Sequence, residues 1–194
     1  IDDSGDNYEK AVTILSEIHD ATDHTSAIAS HHAELEDLIA AAARVKAGVV
    51  ERDEFEMGER RKLNLGHTFA HAIEWEAHNR EQSMGEVNAG VHGISHGEAV
   101  AMGMIMAAEA SEYYYADDKS QHVAAQGIVK KLTEDFRRCG LPVECPYPIT
   151  TLAEAMKKDK KSENGIVHFI LIRAIGDVRI EDLPVDDVVS WISK

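Results

Sequence analysis

Apolar positions recur at intervals of three and four along most of the chain, the period that gathers side chains on one face of a helix. Residues 6–22 carry Tyr8, Val12, Leu15 and Ile18 at that spacing, and "ELEDLIAAAARVKAGVVE" continues it with Leu35, Leu38, Ile39, Ala42, Val45 and Val49. Both segments are predicted helices. A third is predicted from Asn64 or Leu65 to about Glu76, with Phe69 and Ile73 on one face. Isolated glycines and polar residues interrupt the period over 79–95, which predicts a loop. From His96 the run "HGEAVAMGMIMAAEASEYYY" is rich in Ala and Met and free of proline. It predicts a long, deeply buried helix in which Gly97 and Gly103 permit close backbone approach.

"SQHVAAQGIVKKLTEDFRRCG" places Val123, Ile128, Leu132 and Phe136 at mostly helical spacing and closes on Gly140, a common helix stop. Pro142, Pro146 and Pro148 mark a connector, and "TTLAEAMKKDKK" follows as a short helix capped by Thr150 or Thr151. "IVHFILIRAIGDVRIEDL" reads as two strands around an Ile-Gly-Asp turn, and "VDDVVSWISK" as a final helix. The expected fold class is therefore mainly α: a single multi-helix domain over residues 1–194 with a small C-terminal β-hairpin.

Charge narrows the partners. With 20 Lys and Arg against 35 Asp and Glu, the net charge of −15 in 194 residues repels a nucleic-acid backbone. A small anion remains compatible, since a few basic groups create a local positive site within an acidic shell. Cys139 and Cys145 read as reduced intracellular thiols. No apolar run approaches the roughly twenty residues that span a bilayer, and "IDDSGDNYEK" has neither a basic nor an apolar leader region. A soluble cytoplasmic protein is expected. The acidic, turn-like opening without an initiator Met suggests a processed or truncated chain.

The candidate chemistry lies in "LNLGHTFAHAIE" and "SHGEAVAMGM". His67 and His71 are one helical turn apart and project together, a spacing that suits zinc, and a catalytic zinc site usually takes a third protein ligand. His67, His71 and His96 sit among small or apolar residues, where an uncompensated imidazole is costly; His19, His24, His31 and His32 read as solvated. Thr68 stands where a zinc protease has its general-base Glu, which argues against a hydrolase. Arg60 and Asn64 are spaced to face the start of the same helix, and with Lys46 they suit phosphate or carboxylate oxygens. Arg60 reads equally as part of an exposed charged approach. "KKDKK", residues 157–161, reads as a solvated charge run.

The strings "VKAGVVERDEFEMGERRKLNLGHTFAHAIE", "HGEAVAMGM", "CGLP" and "KKDKK…G", in order across roughly residues 45–180, resemble the C-terminal domain of 3-dehydroquinate synthases. The resemblance implies the C-terminal half of that fold, with His67 and His96 as ligands of Zn2+ or another divalent metal such as Co2+. It makes His71 a substrate-facing group near the departing phosphate, so that spacing and resemblance differ over the helical pair. Lys46, Glu56, Arg60 and Asn64 match active-site positions, with His71, Glu56 and Lys46 catalytic. Either Lys160 or Lys161 matches a lysine that reaches the substrate phosphate.

The implied reaction is that of a phosphate-eliminating lyase of the shikimate pathway, on the route to aromatic amino acids. It converts 3-deoxy-D-arabino-heptulosonate 7-phosphate to 3-dehydroquinate by transient oxidation with bound NAD, phosphate loss, re-reduction and an intramolecular aldol closure. The family's NAD site and its third metal ligand, a glutamate in an "EVVKYG"-like string, belong to an N-terminal domain that these residues do not include. The chain is accordingly expected to be a fragment of a full enzyme, with a natural stand-alone domain that has lost activity as the alternative; either way it is expected alone neither to bind NAD tightly nor to make dehydroquinate, and the full enzyme to be a homodimer. Residues 79–95 lengthen the spacing from His67 to His96 beyond the family norm; they suggest a surface loop at the mouth of the site, with His92 as a competing ligand. Rival readings are another sugar-phosphate cyclase, a polyol dehydrogenase, or a metal-binding or oligomerisation module without catalysis.

Overall fold

In the helix from His96 to Tyr114 the buried residues include Ala99, Ala101, Met102, Ile105, Met106, Ala107, Ala108 and Ala110, which face every direction around its axis. Such a helix has no solvent side to offer and must be enclosed. The computed structural model describes residues 5–84, 93–158 and 165–193. Along it run α1 (Asp6–Asp20), α2 (His24–Ser30), α3 (His32–Arg52), a 3-10 helix (Glu59–Asn64), α4 (His67–Met84), α5 (His96–Tyr114), α6 (Lys119–Arg138), α7 (Ile149–Lys158), β1 (Ile166–Ala174), β2 (Asp177–Pro184) and α8 (Val185–Ile192). The fold is mainly helical with a C-terminal antiparallel hairpin, as the periodicity predicts.

Helix α5 divides the interior in two. On one side Met102, Met106 and Ala110 meet Phe69 and Ile73 of α4, Leu152 and Met156 of α7, Phe169 and Leu171 of β1, and Val185 and Val188 of α8. On the other, Ala101, Ile105 and Ala108 meet Ile128, Leu132 and Phe136 of α6, Ile170 and Ile172 of β1, and Val178 of β2. Strand β1 therefore contributes to both clusters, which explains why "FILI" is a continuous apolar run rather than an alternation. One buried polar link ties the strand to the helix: the Ser111 hydroxyl donates to the Ala107 carbonyl at 2.6 Å and accepts from the Ile172 N–H at 2.9 Å.

The N-terminal helices form a thinner layer. Helix α1 rests on α6, where the Tyr8 hydroxyl donates to Asp135 at 2.9 Å. Burial, and then the Asp135 carboxylate, push that hydroxyl above the ordinary tyrosine range. Helix α6 ends on Gly140 at φ 74°, with Gly140 N–H bonded to the Arg137 carbonyl and Leu141 N–H to that of Phe136, the paired bonds of a Schellman stop. Cys139 and Cys145 are both free. Among the described residues no helix is long and apolar enough to cross a membrane.

Several expectations are corrected. Residues 79–84 are helical, because α4 continues to Met84: the segment lacks glycine and proline, and Arg80 pairs one turn back with Glu76 at 2.6 Å while lying over the Tyr147 ring. Residues 93–95 are non-helical, and 85–92, with His92, lie outside the described residues. Helix α4 begins at His67, not Asn64 or Leu65, because the 3-10 helix and Gly66 at φ 78° intervene. Helix α7 starts at Ile149, so Pro148, not a threonine, precedes it and accepts the first amide bonds. Helix α2 is additional: Asp23 accepts from the Thr25 and Ser26 amides and starts it. Gly97 faces open space, so only Gly103 supports a close backbone approach.

Candidate metal and substrate site

The site is set by how closely α4 and α5 approach. A Cβ built on Gly103 would lie 2.3 Å from the Gly66 carbonyl oxygen, and one on Gly66 would lie 2.8 Å from the Met104 backbone nitrogen. Only glycine fits at both positions, and Gly66 also needs its positive φ. This contact lays the first turn of α4 across α5 and brings two histidines from separate segments together: the His67 and His96 rings are 5.3 Å apart between centroids. His71, a turn further along α4, has its ring 5.6 Å from that of His67 on an edge. The three histidines singled out in the sequence thus form one cluster, with His67 in the middle.

Hydrogen bonds fix which nitrogen each metal candidate presents. Nδ1 of His67 is 3.2 Å from the Leu65 carbonyl oxygen, and Nδ1 of His96 is 2.9 Å from Oε1 of Glu74. A carbonyl and a carboxylate only accept, so in the neutral rings Nδ1 carries the proton and Nε2 keeps its lone pair. Two imidazoles so arranged fit the donor set of a zinc ion, whose histidine ligands usually give their second nitrogen to an oxygen acceptor. Among the described residues no group of three His, Cys, Asp or Glu side chains is disposed to hold a metal.

The substrate candidates come from the segment between α3 and α4, and one unanticipated residue organises it. Asp53, just after α3, accepts from the amides of Met57 at 2.9 Å, Gly58 at 2.8 Å and Arg60 at 3.0 Å. The Arg60 and Met57 amides hold its carboxyl below the ordinary range. Within the loop, Glu56 has φ 57°, a left-handed conformation rare outside glycine. It is kept there by the Asn64 amide, which donates to its carboxylate at 2.6 Å, and by Arg61, which donates to its carbonyl at 3.0 Å. Arg60 donates to the Glu54 carbonyl at 2.6 Å. Arg52 and Glu59, joined at 2.8 and 2.9 Å, fasten the end of α3 to the 3-10 helix.

Glu56 and Asn64 are thus brought into direct contact and Arg60 into the same loop. Lys46 stands exposed on α3, without a hydrogen-bond or ion-pair partner among the described residues. Lys160 and Lys161 lie outside the described residues. The sequence reading missed Asp53 and Glu74. Glu74 carried a signal, since it closes "GHTFAHAIE" two turns after His67 on the same face; Asp53 carried only the weaker one of an acidic residue entering a loop.

The loop gives a pH prediction. Because the Asp53 carboxyl is lowered in the folded chain, its contribution is complete above the unfolded value of about 4 and is lost as pH falls through the lowered folded value. Amide exchange at Met57, Gly58 and Arg60 is expected to lose protection in that acid window. Asp53→Ala is expected to accelerate the same amides by roughly tenfold at neutral pH. Unchanged exchange in the variant would show that the loop is held by other contacts.

Residues 10–162 match the family described as 3-dehydroquinate synthase C-terminal. The chain belongs to that family. Among curated relatives it is similar to the 3-dehydroquinate synthase of Geobacillus kaustophilus (strain HTA426), 37% identical over 152 residues that cover 77% of this chain and 36% of the relative. The Pyrococcus abyssi (strain GE5 / Orsay) enzyme of the same name is 40% identical over 149 residues, covering 77% of this chain and 38% of the relative. That of Bacillus pumilus (strain SAFR-032) is 33% identical over 163 residues, covering 83% and 39%. The chain thus spans little more than a third of the length of these synthases. Every candidate placed above falls within the stretch matched to the 3-dehydroquinate synthase C-terminal family.

Proposed function

We propose that this chain is the metal- and substrate-holding part of a 3-dehydroquinate synthase, acting on 3-deoxy-D-arabino-heptulosonate 7-phosphate with NAD held by an N-terminal part. The observation that carries the reading is the pairing of the His67 and His96 rings, each with Nδ1 beside an oxygen acceptor, inside a segment of that family. A divalent metal bound there would supply Lewis-acid polarisation of substrate oxygens. The remaining metal ligand would come from the N-terminal part.

The chain's own residues do the orienting. Asn64 and Arg60 present donors to hydroxyl and carboxylate oxygens, and Asn64 is aimed by its bond to Glu56. His71, beside His67 but on the next turn, would exchange a proton with the leaving phosphate; its closeness to the ring of His67 supports this reading. Lys46, with Lys160 or Lys161, supplies positive charge to the substrate's anionic end, where the surrounding acidic surface would otherwise repel it. Positioning of this kind accounts for much of a rate enhancement when one substrate undergoes several steps without leaving the site.

The test is reassembly. The chain mixed with the N-terminal part of the Geobacillus kaustophilus relative is expected to release phosphate from the heptulosonate phosphate only when NAD and a divalent metal are both present, and the chain alone is expected to release none. Turnover by the chain alone would overturn the division of labour. A stable reassembled complex that binds NAD yet leaves the substrate intact would overturn the substrate assignment.

A further inference from the structure

Helix α4 carries His67, His71 and Glu74 at successive turns of one face, and that face looks toward the first turn of α5. Glu74 reaches across to His96 and takes its Nδ1 at 2.9 Å. Both side chains are partly open, at 34% exposure for the carboxylate and 60% for the imidazole, so this bond is not forced by the core. His96 itself is the first residue of α5. Its backbone is fixed by a capping box in which Glu98 accepts from the Ser95 amide at 2.8 Å and the Ser95 hydroxyl accepts from the Glu98 amide. The capping box leaves the ring's rotation undetermined.

We propose that Glu74 is the positioning residue for His96: it selects the tautomer with the proton on Nδ1, and it fixes the rotation of the ring beside that of His67. The inference rests on the reading of His96 as a metal ligand. Two features give Glu74 this role in place of a bystander's. The bond joins the helix that carries one candidate ligand to the residue that is the other, so it orients the second ring relative to the first directly. His67 is oriented by a different device, the Leu65 carbonyl, so the two rings reach the same tautomer by independent means. Without Glu74, the His96 ring has no acceptor among the described residues to hold it and is free to rotate or to carry its proton on Nε2, where it blocks coordination. Carboxylate partners of this kind typically contribute about 10–100-fold to metal affinity.

The test uses the 194-residue chain with Glu74→Ala, Glu74→Gln and His96→Ala, and combines two measurements. The first is 15N NMR of the imidazole rings in the metal-free chain near pH 9, above the ordinary imidazole range. The parent chain is expected to hold His96 with Nε2 unprotonated. Glu74→Ala is expected to shift it toward the Nε2-protonated form, and Glu74→Gln, which keeps an oxygen acceptor, to preserve the parent tautomer. The His67 signals should be the same in all. The second is zinc titration: Glu74→Ala is expected to weaken binding at least about tenfold, with no further loss when added to His96→Ala. An unchanged His96 tautomer in Glu74→Ala overturns the proposal. If His96→Ala leaves zinc affinity intact, the ligand reading fails instead, while the tautomer measurement still decides what Glu74 does to the ring.

Discussion

Gly103→Ala is expected to destabilise the chain by about 3 kcal/mol, the upper part of the usual range for overpacking, and to separate His67 from His96. The added methyl group would stand 2.3 Å from the Gly66 carbonyl oxygen and 3.1 Å from the Ala70 nitrogen, both of them backbone atoms of the incoming turn of α4. A crowded side chain can rotate away; a peptide cannot, and Gly66 is further held by accepting the first hydrogen bond of α4 from Ala70 at 3.0 Å. Relief must therefore come from lifting α4 off α5. That would loosen the contacts of Phe69, fully buried against Phe169 at a centroid distance of 5.8 Å, and would move His67 away from its partner ring. The control is Gly97→Ala on the same helix. Its Cβ meets nothing within 4 Å, so alanine there is expected to be neutral or stabilising by about 0.5–1 kcal/mol through helix propensity. Urea unfolding with matched m-values checks both. Equal midpoints for the two variants would mean that the glycine contact does not set the packing of α4.

That contact also marks the limit of what the sequence discloses. Helical periodicity locates α1, α3, α5 and α6 well, because each has an apolar stripe or an apolar whole and the chain's prolines cluster between α6 and α7. Helix α2 buries no residue and is held by the Asp23 cap, so it has no stripe to detect. The end of α4 escapes the periodicity because "NREQS" is polar throughout; its helicity comes from Arg80, which satisfies Glu76 and covers Tyr147, and that partner is distant in sequence. At the site, residue type and spacing were sufficient to nominate His67, His71 and His96. What they could not give is orientation. Whether Nδ1 or Nε2 carries the proton depends on Leu65 and Glu74, and whether Glu56 and Asn64 act as a pair depends on a loop that Asp53 folds around its carboxylate. Of the two glycines nominated for close packing, only the one facing another backbone serves that purpose, and sequence position alone does not distinguish them.

Separating the roles of His67, His71 and His96 is the sharper functional expectation, since one ring lies 5.6 Å and the other 5.3 Å from the central one and both distances are compatible with a shared metal. In the enzyme reassembled with a relative's N-terminal part, His67→Ala and His96→Ala are expected to reduce zinc affinity by more than about a hundredfold, beyond the range set by outer-shell partners. Phosphate release should be lost in parallel and recover in part at high zinc concentration. His71→Ala is expected to behave differently: zinc stays within about threefold of the parent affinity, and phosphate release falls by about 10²–10⁴ with no recovery on adding metal, as for removal of a general acid–base group. The physical basis is the Nδ1 bonds of His67 and His96, which leave Nε2 with the lone pair in both neutral rings, while His71 sits one turn along α4 from His67. If His71→Ala instead sheds zinc as readily as His67→Ala while His96→Ala retains it, the metal belongs to the helical pair. His96 would then be a substrate group, and the role of Glu74 would be to orient a proton carrier.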